Sequence, residues 1–274
     1  MDFRLTDEQR QLQATVRDFA RAELSAIAVE LERDSKPPSH ELVRRYAEMG
    51  FLGINVPTAL GGLGTGNIEA LVVLEEFPKI SSAVAFPIFE SSVGPVRAIK
   101  HFAPAALRDR VGPMVRRDEM VIAVSMSEPD AGSALTDLET RGVVRGDKVV
   151  LNGTKRWCSG GGHSDAYLVY CRLSDEPGAK SIGAAADLAS CGQCRGRAAV
   201  GARKRDRQML HNTIAREVTG DALQLMGAYG YSKEFPMERR NRDGWGWGIA
   251  GGAIDIQKTN IASAMLGRRF DQRR

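Results

Sequence analysis

Two segments carry most of the information in this chain: Val124-Ser-Met-Ser-Glu-Pro-Asp-Ala-Gly-Ser133 and, further along, Lys155-Arg-Trp-Cys-Ser-Gly-Gly-Gly162. The first is typical of a strand that ends in a turn of small residues, and the glycine run of the second allows a ligand to approach the backbone. The groups that point to a ligand are a flat indole and three hydroxyls, those of Trp157, Ser127, Ser133 and Ser159. Together they predict a surface for a large heteroaromatic ring. On local chemistry alone, a common turn and a core tryptophan are the competing interpretation.

The residues before these segments are predicted to form an N-terminal helical domain over 1–119. Thr6 and Gln9 have the spacing of a capping box, which marks the start of the first helix. A second helix is predicted to begin at Ser39 and to end just before Gly50, because apolar residues recur at helical spacing on one face. Residues 53–66 are rich in glycine and predict a loop.

A change of period near residue 120 predicts a partial middle β domain over 120–182. Residues 120–126 form an apolar run rich in Val and Ile, which is typical of a strand. The segment 143–151 turns at Gly146 and Asp147 and predicts a hairpin. Residues 166–171 supply another strand, so the fold class is predicted to be α+β.

Residues 183–208 differ from the rest of the chain in composition. Leu188 and Val200 are the only large apolar residues in this segment, and basic residues outnumber acidic ones. Such a stretch buries too little apolar surface to offset its ordering entropy, so an irregular basic linker is predicted here. Helical periodicity returns over 209–274 and ends in a helix predicted from Ala253 to Arg268.

The overall composition excludes several classes of protein. The chain has 274 residues, with 38 Lys plus Arg against 34 Asp plus Glu, and this surplus of +4 is too small to favour nucleic-acid binding. Four cysteines in a chain of this length do not indicate a disulfide scaffold and favour a reducing, cytoplasmic compartment. The start of the chain carries charges where a secretory signal has apolar residues, and no apolar run is long enough for a membrane span.

Cys191 and Cys194 form a CxxC pair, which is compatible with a redox pair or with half of a zinc site. A full zinc site needs a second pair or histidines at set spacing, and only His211 follows nearby. Two chance cysteines in a segment without a core are the favoured interpretation, so no metal is predicted.

The order of the motifs resembles that of the acyl-CoA dehydrogenase family. The two segments quoted above are similar to its paired signature, V-T-E-P-x-A-G-S and K-x-W-I-T-N/S-G-G. The run Gln224-Leu-Met-Gly-Ala-Tyr-Gly-Tyr231 and the segment Ile249–Gln257 resemble the family's closing signature. The opening helices and the glycine loop are similar as well, so the resemblance covers residues 1–182 and 209–274.

This resemblance implies an N-terminal helical domain, a middle β-barrel domain that is partial here, and a truncated C-terminal helical domain. It implies FAD as the cofactor, α,β-dehydrogenation of an acyl-CoA thioester, electron transfer to an electron-transferring flavoprotein, and a homotetramer or homodimer. The residues at the family's cofactor-binding positions are Met126 and Ser127 at the flavin ring, Ser133 near the phosphates, Trp157 and Ser159 flanking the flavin, and Gln224 and Ala228 facing the cofactor of a neighbouring subunit.

The chain departs from the family pattern where the catalytic base is expected. In many members the base is the Glu of a Y-E-G-T motif near the C-terminus, and the corresponding residue here is Gly251. Asp255 is the nearby carboxylate, expected one turn further along the same helix. A surface position near a helix start is its favoured interpretation.

A larger departure concerns segments that have no counterpart in this chain. Other members carry the base on an earlier helix of the C-terminal domain, and that helix is missing. The second half of the β domain and the cofactor arginine of an R-x-x-F-G motif are missing too. An internal deletion at residues 183–208 is therefore predicted, and a catalytically inactive remnant of such an enzyme is the alternative to an active dehydrogenase.

Overall fold

The chain folds into two compact units, Met1–Gly196 and Arg197–Arg274. A computed structural model describes residues 4–117, 119–146, 148–187, 193–194, 202–268 and 270. The first unit holds a helical part followed by a sheet, and the second is helical, so the predicted α+β class is confirmed. Within the part of the chain that is described, no helix is long and apolar enough to cross a membrane.

Seven α-helices build the first part of unit 1. Their bounds are Asp7–Phe19 (α1), Ser25–Asp34 (α2), His40–Glu48 (α3), Asn67–Glu76 (α4), Ser82–Ser92 (α5), Pro95–Phe102 (α6) and Ala105–Arg116 (α7). A short π-helical segment, Ala20–Leu24, joins α1 to α2, and a 3-10 turn at Thr58–Leu60 lies in the glycine loop.

Local hydrogen bonds set the helix starts that the sequence predicts. Thr6 Oγ1 accepts from the backbone N–H of Gln9 at 3.2 Å, and Gln9 Oε1 accepts from the Thr6 N–H at 3.0 Å. Ser39 Oγ accepts from the N–H of Leu42 at 3.2 Å and caps α3. Gly50 follows α3 with φ +76°, a left-handed conformation that favours glycine. The predicted capping box and the predicted second helix are both confirmed.

An aromatic cluster forms the centre of the helical core. The ring of Phe77 lies 5.1 Å from that of Tyr46, 5.7 Å from that of Phe51 and 6.1 Å from that of Phe19, measured between centroids. The hydroxyl of Tyr46 donates to the carbonyl of Val84 at 3.1 Å, so this buried polar group is satisfied. A second cluster packs the sheet against α6 and α7, and it includes Ile99, Val111, Ile122 and Leu168.

Helix α5 lacks the one-sided apolar pattern of a surface helix, because nearly its whole circumference is buried. It also contains Pro87, a residue that normally breaks a helix interior. These two features explain why the sequence pattern does not define α5. One carboxylate lies in this buried helix, that of Glu90.

Glu90 is expected to make the stability of the fold pH-dependent. Burial raises the pKa of its carboxyl from 4.5 to about 8, so the folded chain holds it neutral at pH 7. The unfolded chain ionises it near 4.5, and the free energy of unfolding therefore falls as the pH rises from 4.5 towards about 8. Glu90→Gln removes this loss, so the variant is expected to gain stability over the wild type between about pH 5 and pH 8.

Thermal unfolding of both proteins across that range measures the effect. Glu41→Gln, which changes an exposed carboxylate on α3, is the control and is expected to change little. A constant difference between Glu90→Gln and the wild type at all pH values would show that Glu90 does not titrate between the two states.

The sheet of unit 1 follows α7. Its strands are Ile122–Ser125 (β1), Arg141–Arg145 (β2), Lys148–Asn152 (β3), Ala166–Arg172 (β4), Ile182–Asp187 (β5) and Gln193–Cys194 (β6). The strands run in the order β3-β2-β4-β5-β6, and β1 pairs with β4 in parallel. The antiparallel β2–β3 pair turns at Gly146, whose φ is +64°, and confirms the predicted hairpin.

The prediction of an irregular linker over 183–208 is wrong at both ends. Residues 183–187 belong to β5, where Ala184, Ala185 and Ala186 pair with residues of β4. A strand of small residues is stable there because the large apolar side chains come from β4. Residues 202–208 belong to a helix, since lysine and arginine are strong helix formers. Residues 188–192 and 195–201 lie outside the described residues.

Unit 2 consists of helices. They span Ala202–Met226 (α8), Ala228–Tyr231 (α9), Met237–Trp247 (α10) and Ile254–Met265 (α11). Both α10 and α11 pack against α8. Gly244 of α10 permits this approach, because a Cβ there would lie 2.8 Å from Thr219 Oγ1 of α8. The helix predicted over 253–268 is confirmed for Ile254–Met265.

Candidate functional site

The two motif segments meet where β1 ends. Strand β1 stops at Ser125, and Met126 and Ser127 follow it outside the strand. The second segment follows β3, and the backbone N–H of Arg156 donates to the carbonyl of Ser127 at 2.8 Å. Because β1 and the segment after β3 approach each other at this point, the backbone itself brings the two signatures together.

A buried ion pair joins the same two segments. Lys155 Nζ lies 2.7 Å from Glu128 Oε1 and donates to the carbonyl of Met126 at 2.9 Å. Glu128 also accepts from the backbone N–H groups of Glu139 and Thr140, at 2.6 and 3.0 Å. Burial alone would raise the pKa of Glu128, but the bonds from Lys155 and from these backbone groups outweigh it and lower the pKa to about 2.

Neither member of this pair was a predicted site residue. Both stand inside the quoted segments, and the available signal was that one segment carries a carboxylate and the other a lysine, charges of opposite sign. Sequence alone does not show that the two side chains meet, because 27 positions separate them in the chain.

Trp157 lies on the surface, so the competing interpretation of a core tryptophan is wrong. Its side chain is 79% exposed. The backbone of Trp157 has φ +60°, a left-handed conformation that is rare for a large residue. The guanidinium of Arg156 lies over the indole at 4.6 Å from the ring centroid. An exposed ring held in a strained conformation beside a cation offers a flat face to a ligand.

The neighbouring turns restrict how these segments can move. The backbone groups of Glu128 and Ala131 bond each other, at 3.0 and 3.3 Å, and close the first turn. Cys158 Sγ donates to the carbonyl of Val124 at 3.3 Å, and burial raises the pKa of this thiol. Gly160 lies so close to Ser164 and Ala123 that a Cβ would not fit, which fixes a glycine at this position.

The predicted cofactor-binding residues fall into two groups. Met126, Ser127, Trp157 and Ser159 lie on the two joined segments of unit 1, and we call them the motif surface. Ser133 is exposed in the same loop as Ser127, beyond the turn closed by Glu128 and Ala131.

Gln224 and Ala228 belong to unit 2. Gln224 lies in the last turn of α8, Ala228 begins α9, and both side chains are exposed. Gly227, with φ +57°, separates the two helices, and its N–H donates to the carbonyl of Gln224 at 3.1 Å.

The position of the expected base differs from the prediction in one respect. Gly251 does not lie on the helix of Asp255 but in the turn before α11, with φ +70°. Asp255 lies in the first turn of α11, is exposed, and pairs with Lys258 at 3.6 Å. Its position on the surface at a helix start agrees with the favoured interpretation of this residue.

The CxxC pair lies outside what the structure describes. Cys191 is not described, and Cys194 is described only as a backbone position in β6. Across the described part of the chain, no group of three or more His, Cys, Asp or Glu side chains could hold a metal ion.

Comparison with known families places three matches along the chain. The N-terminal domain of acyl-CoA dehydrogenases matches residues 6–119, the middle domain matches 123–190, and the C-terminal domain matches 208–266. The chain belongs to the acyl-CoA dehydrogenase family. The family resemblance and the fold class are therefore both confirmed.

The curated relatives include three 3-sulfinopropanoyl-CoA desulfinases. That of Advenella mimigardefordensis is 31% identical over 182 residues, which are 66% of this chain but 45% of the relative. That of Paraburkholderia xenovorans is 25% identical over 387 positions that cover 99% of both chains. This alignment has more positions than the 274 residues of this chain. It therefore contains gaps in the sequence of this chain, opposite residues that the relative has. The match to the Advenella relative, in contrast, spans less than half of that relative's length.

Solved structures of the family share this fold. The butyryl-CoA dehydrogenase of Megasphaera elsdenii superimposes with a TM-score of 0.85 at 18% identity, covering 97% of this chain and 100% of that one. A glutaryl-CoA dehydrogenase of Mycobacterium smegmatis, in complex with FADH2, has a TM-score of 0.80 at 15% identity and covers 98% and 97% of the two chains.

Proposed function

We propose that this chain binds FAD on the motif surface and that its substrates are acyl-CoA thioesters. The observation that carries the proposal is the exposed indole of Trp157, which directly follows Arg156, whose backbone N–H is bonded to the Ser127 carbonyl. A flat exposed ring with neighbouring hydroxyls and backbone groups suits a large heteroaromatic cofactor. The complex of a related dehydrogenase with FADH2 supports the same cofactor.

Family members that have all three domains catalyse an oxidoreduction. We propose that this chain derives from an enzyme that catalysed α,β-dehydrogenation of the thioester. When bound, FAD would accept a hydride from the β-carbon. The residues of the motif surface bind and orient the ring. An electron-transferring flavoprotein is the proposed electron acceptor. A carboxylate must also take the α-proton, and the expected position holds Gly251, which has no side chain.

The missing base favours an inactive form of the enzyme over a fully active one. The middle-domain match ends at residue 190 and the C-terminal match begins at 208, and we propose that the alignment gaps fall between these positions. Such an internal deletion would remove the helix that carries the base in other members. Sequencing the DNA around codons 183–208 tests it, because an uninterrupted longer frame there would reveal a sequence artefact.

Desulfination of a thioester that carries a sulfinate group on the β-carbon is the second candidate. Three relatives carry the name 3-sulfinopropanoyl-CoA desulfinase, and Gly251 provides no base for α-proton removal. Loss of a sulfinate group breaks the bond from the β-carbon to sulfur, with water supplying the proton to carbon and the hydroxide to sulfur, so no α-proton needs to be abstracted. Release of sulfite from 3-sulfinopropanoyl-CoA is the measurement that distinguishes this candidate from an inactive remnant.

The proposed setting is a cytoplasmic homotetramer or homodimer. Unit 2 supports an assembly because several of its large apolar side chains are exposed, among them Leu225, Tyr231 and Met265. The four cysteines favour a reducing compartment. Neither a nucleic acid nor a metal forms part of the proposal.

Titration with FAD is expected to change the tryptophan fluorescence of the wild type, and Trp157→Ala is expected to abolish most of this change. The reason is that the indole of Trp157 would stack on the bound ring. We expect weak affinity, because the family's cofactor arginine is missing. Trp245→Ala is the matched control, since Trp245 is also exposed and lies under an arginine, with the Arg216 guanidinium 4.5 Å from its ring centroid. An identical response in wild type and Trp157→Ala would contradict binding at this surface.

A further inference from the structure

The peptide group between Met126 and Ser127 has a cation at one end and an open donor at the other. Lys155 Nζ donates to the Met126 carbonyl oxygen at 2.9 Å. The N–H of the same peptide group belongs to Ser127, and among the described residues it has no hydrogen-bond partner. The Ser127 carbonyl is engaged by Arg156 at 2.8 Å, so the orientation of this backbone is fixed from both sides.

A cation on a carbonyl oxygen polarises the whole peptide group. Electron density shifts towards the oxygen, and the N–H at the other end becomes a stronger donor. Bonds in which one partner is charged are roughly twice as strong as neutral ones. The side chains of Lys155 and Glu128 are 12% and 5% exposed, so little water screens the charge.

Glu128 keeps the ammonium group in place. Its carboxylate lies 2.7 Å from Lys155 Nζ and is itself held by the backbone N–H groups of Glu139 and Thr140. A lysine side chain has several rotatable bonds, and without a fixed partner it would not remain on one carbonyl. The carboxylate therefore determines where the positive charge lies.

We propose that Glu128 and Lys155 are positioning residues that orient and polarise the Met126–Ser127 peptide, so that the Ser127 N–H donates to an acceptor atom of a bound flavin ring. This inference rests on the proposed binding of FAD and adds two residues to it. The pair does not touch the cofactor in this account. It acts through the peptide group, and it also fixes the segment that carries Trp157, two residues beyond Lys155.

Two consequences separate this role from a purely structural one. A stronger donor to the flavin ring raises the affinity for FAD, and it favours the more negative, reduced form of the ring. Lys155→Met keeps the length of the side chain but removes the charge and the donors. We therefore expect at least a tenfold higher dissociation constant for FAD and a more negative midpoint potential of the bound flavin. Lys155→Arg keeps the charge and is expected to retain most of the affinity for FAD and most of the wild-type midpoint potential.

The experiment measures FAD binding and the midpoint potential of the bound flavin in the full chain, with far-UV circular dichroism to verify folding. Lys148→Met removes an exposed lysine from β3 of the same unit and is expected to match the wild type. If Lys155→Met does not fold, Lys155→Gln takes its place, because it also removes the charge but keeps a polar group beside Glu128, and it is expected to shift both quantities in the same direction.

The outcomes are distinguishable. A wild type that does not bind FAD overturns the proposed function and this inference with it. A wild type that binds FAD, with unchanged affinity and potential in folded Lys155→Met or Lys155→Gln, overturns only the role of the pair. Parallel losses in Lys155→Met and Lys155→Arg, with no change of potential in either, would show a structural role alone.

Discussion

No dehydrogenation of an acyl-CoA thioester above the background rate is expected from this chain with an artificial electron acceptor. A positioned general base contributes about 10²–10⁴-fold to such a proton transfer. Gly251 supplies no side chain, and it lies in a turn outside α11. Asp255 is exposed and paired with Lys258 at 3.6 Å, in the first turn of the helix that follows. A short carboxylate in that position does not replace a base at residue 251.

Two variants examine this prediction. Asp255→Asn is expected to leave the background rate unchanged, because the exposed carboxylate has no role. Gly251→Glu is expected to restore little, since φ is +70° at this position and a residue with a Cβ is strained by roughly 1–2 kcal/mol there. Robust turnover by the unmodified chain that persists in Asp255→Asn would refute this account of the base.

Phe77→Ala is expected to destabilise unit 1 by about 3–5 kcal/mol, the usual cost of deleting a large buried ring. Phe77 is 0% exposed and meets three other aromatic rings at centroid distances of 5.1 to 6.1 Å. Its removal leaves a cavity in the middle of the helical core and deletes edge-to-face contacts with Tyr46 and Phe51.

Chemical denaturation followed by far-UV circular dichroism measures this loss. Leu71→Ala is the matched control, because Leu71 is a large apolar residue of α4, six positions before Phe77, and is 58% exposed. It is expected to change the free energy of unfolding by less than about 1 kcal/mol. Similar losses in the two variants would show that the aromatic cluster is not the main source of stability in unit 1.

Local signals in the sequence were sufficient for much of the helical part. Thr6, Gln9 and Ser39 define helix starts through bonds that reach only three residues along the chain. The hairpin at Gly146 is equally local. Prediction from the sequence failed for the elements whose structure depends on tertiary contacts. Helix α5 is buried on nearly all sides, and β5 is stabilised by the large side chains of β4 rather than by its own.

The candidate site shows the same division. The hydroxyls and the indole of the motif surface could be predicted because their residue types and order are distinctive. The exposure of Trp157 and the ion pair between Glu128 and Lys155 could not, because both depend on how the end of β1 approaches the segment after β3. The turn that separates Gly251 from α11 was missed since two adjacent glycines are compatible with a turn or a helix end.

Anaerobic mixing of the FAD-loaded chain with butyryl-CoA, followed by visible absorption, tests the central claim most directly. That claim is that the cofactor surface persists while the base is missing. The predicted result is a protein that carries flavin absorption and keeps it unchanged after the thioester is added. Rapid bleaching of the flavin would show that a base is present, and a chain that takes up no flavin at all would show that the motif surface does not bind FAD.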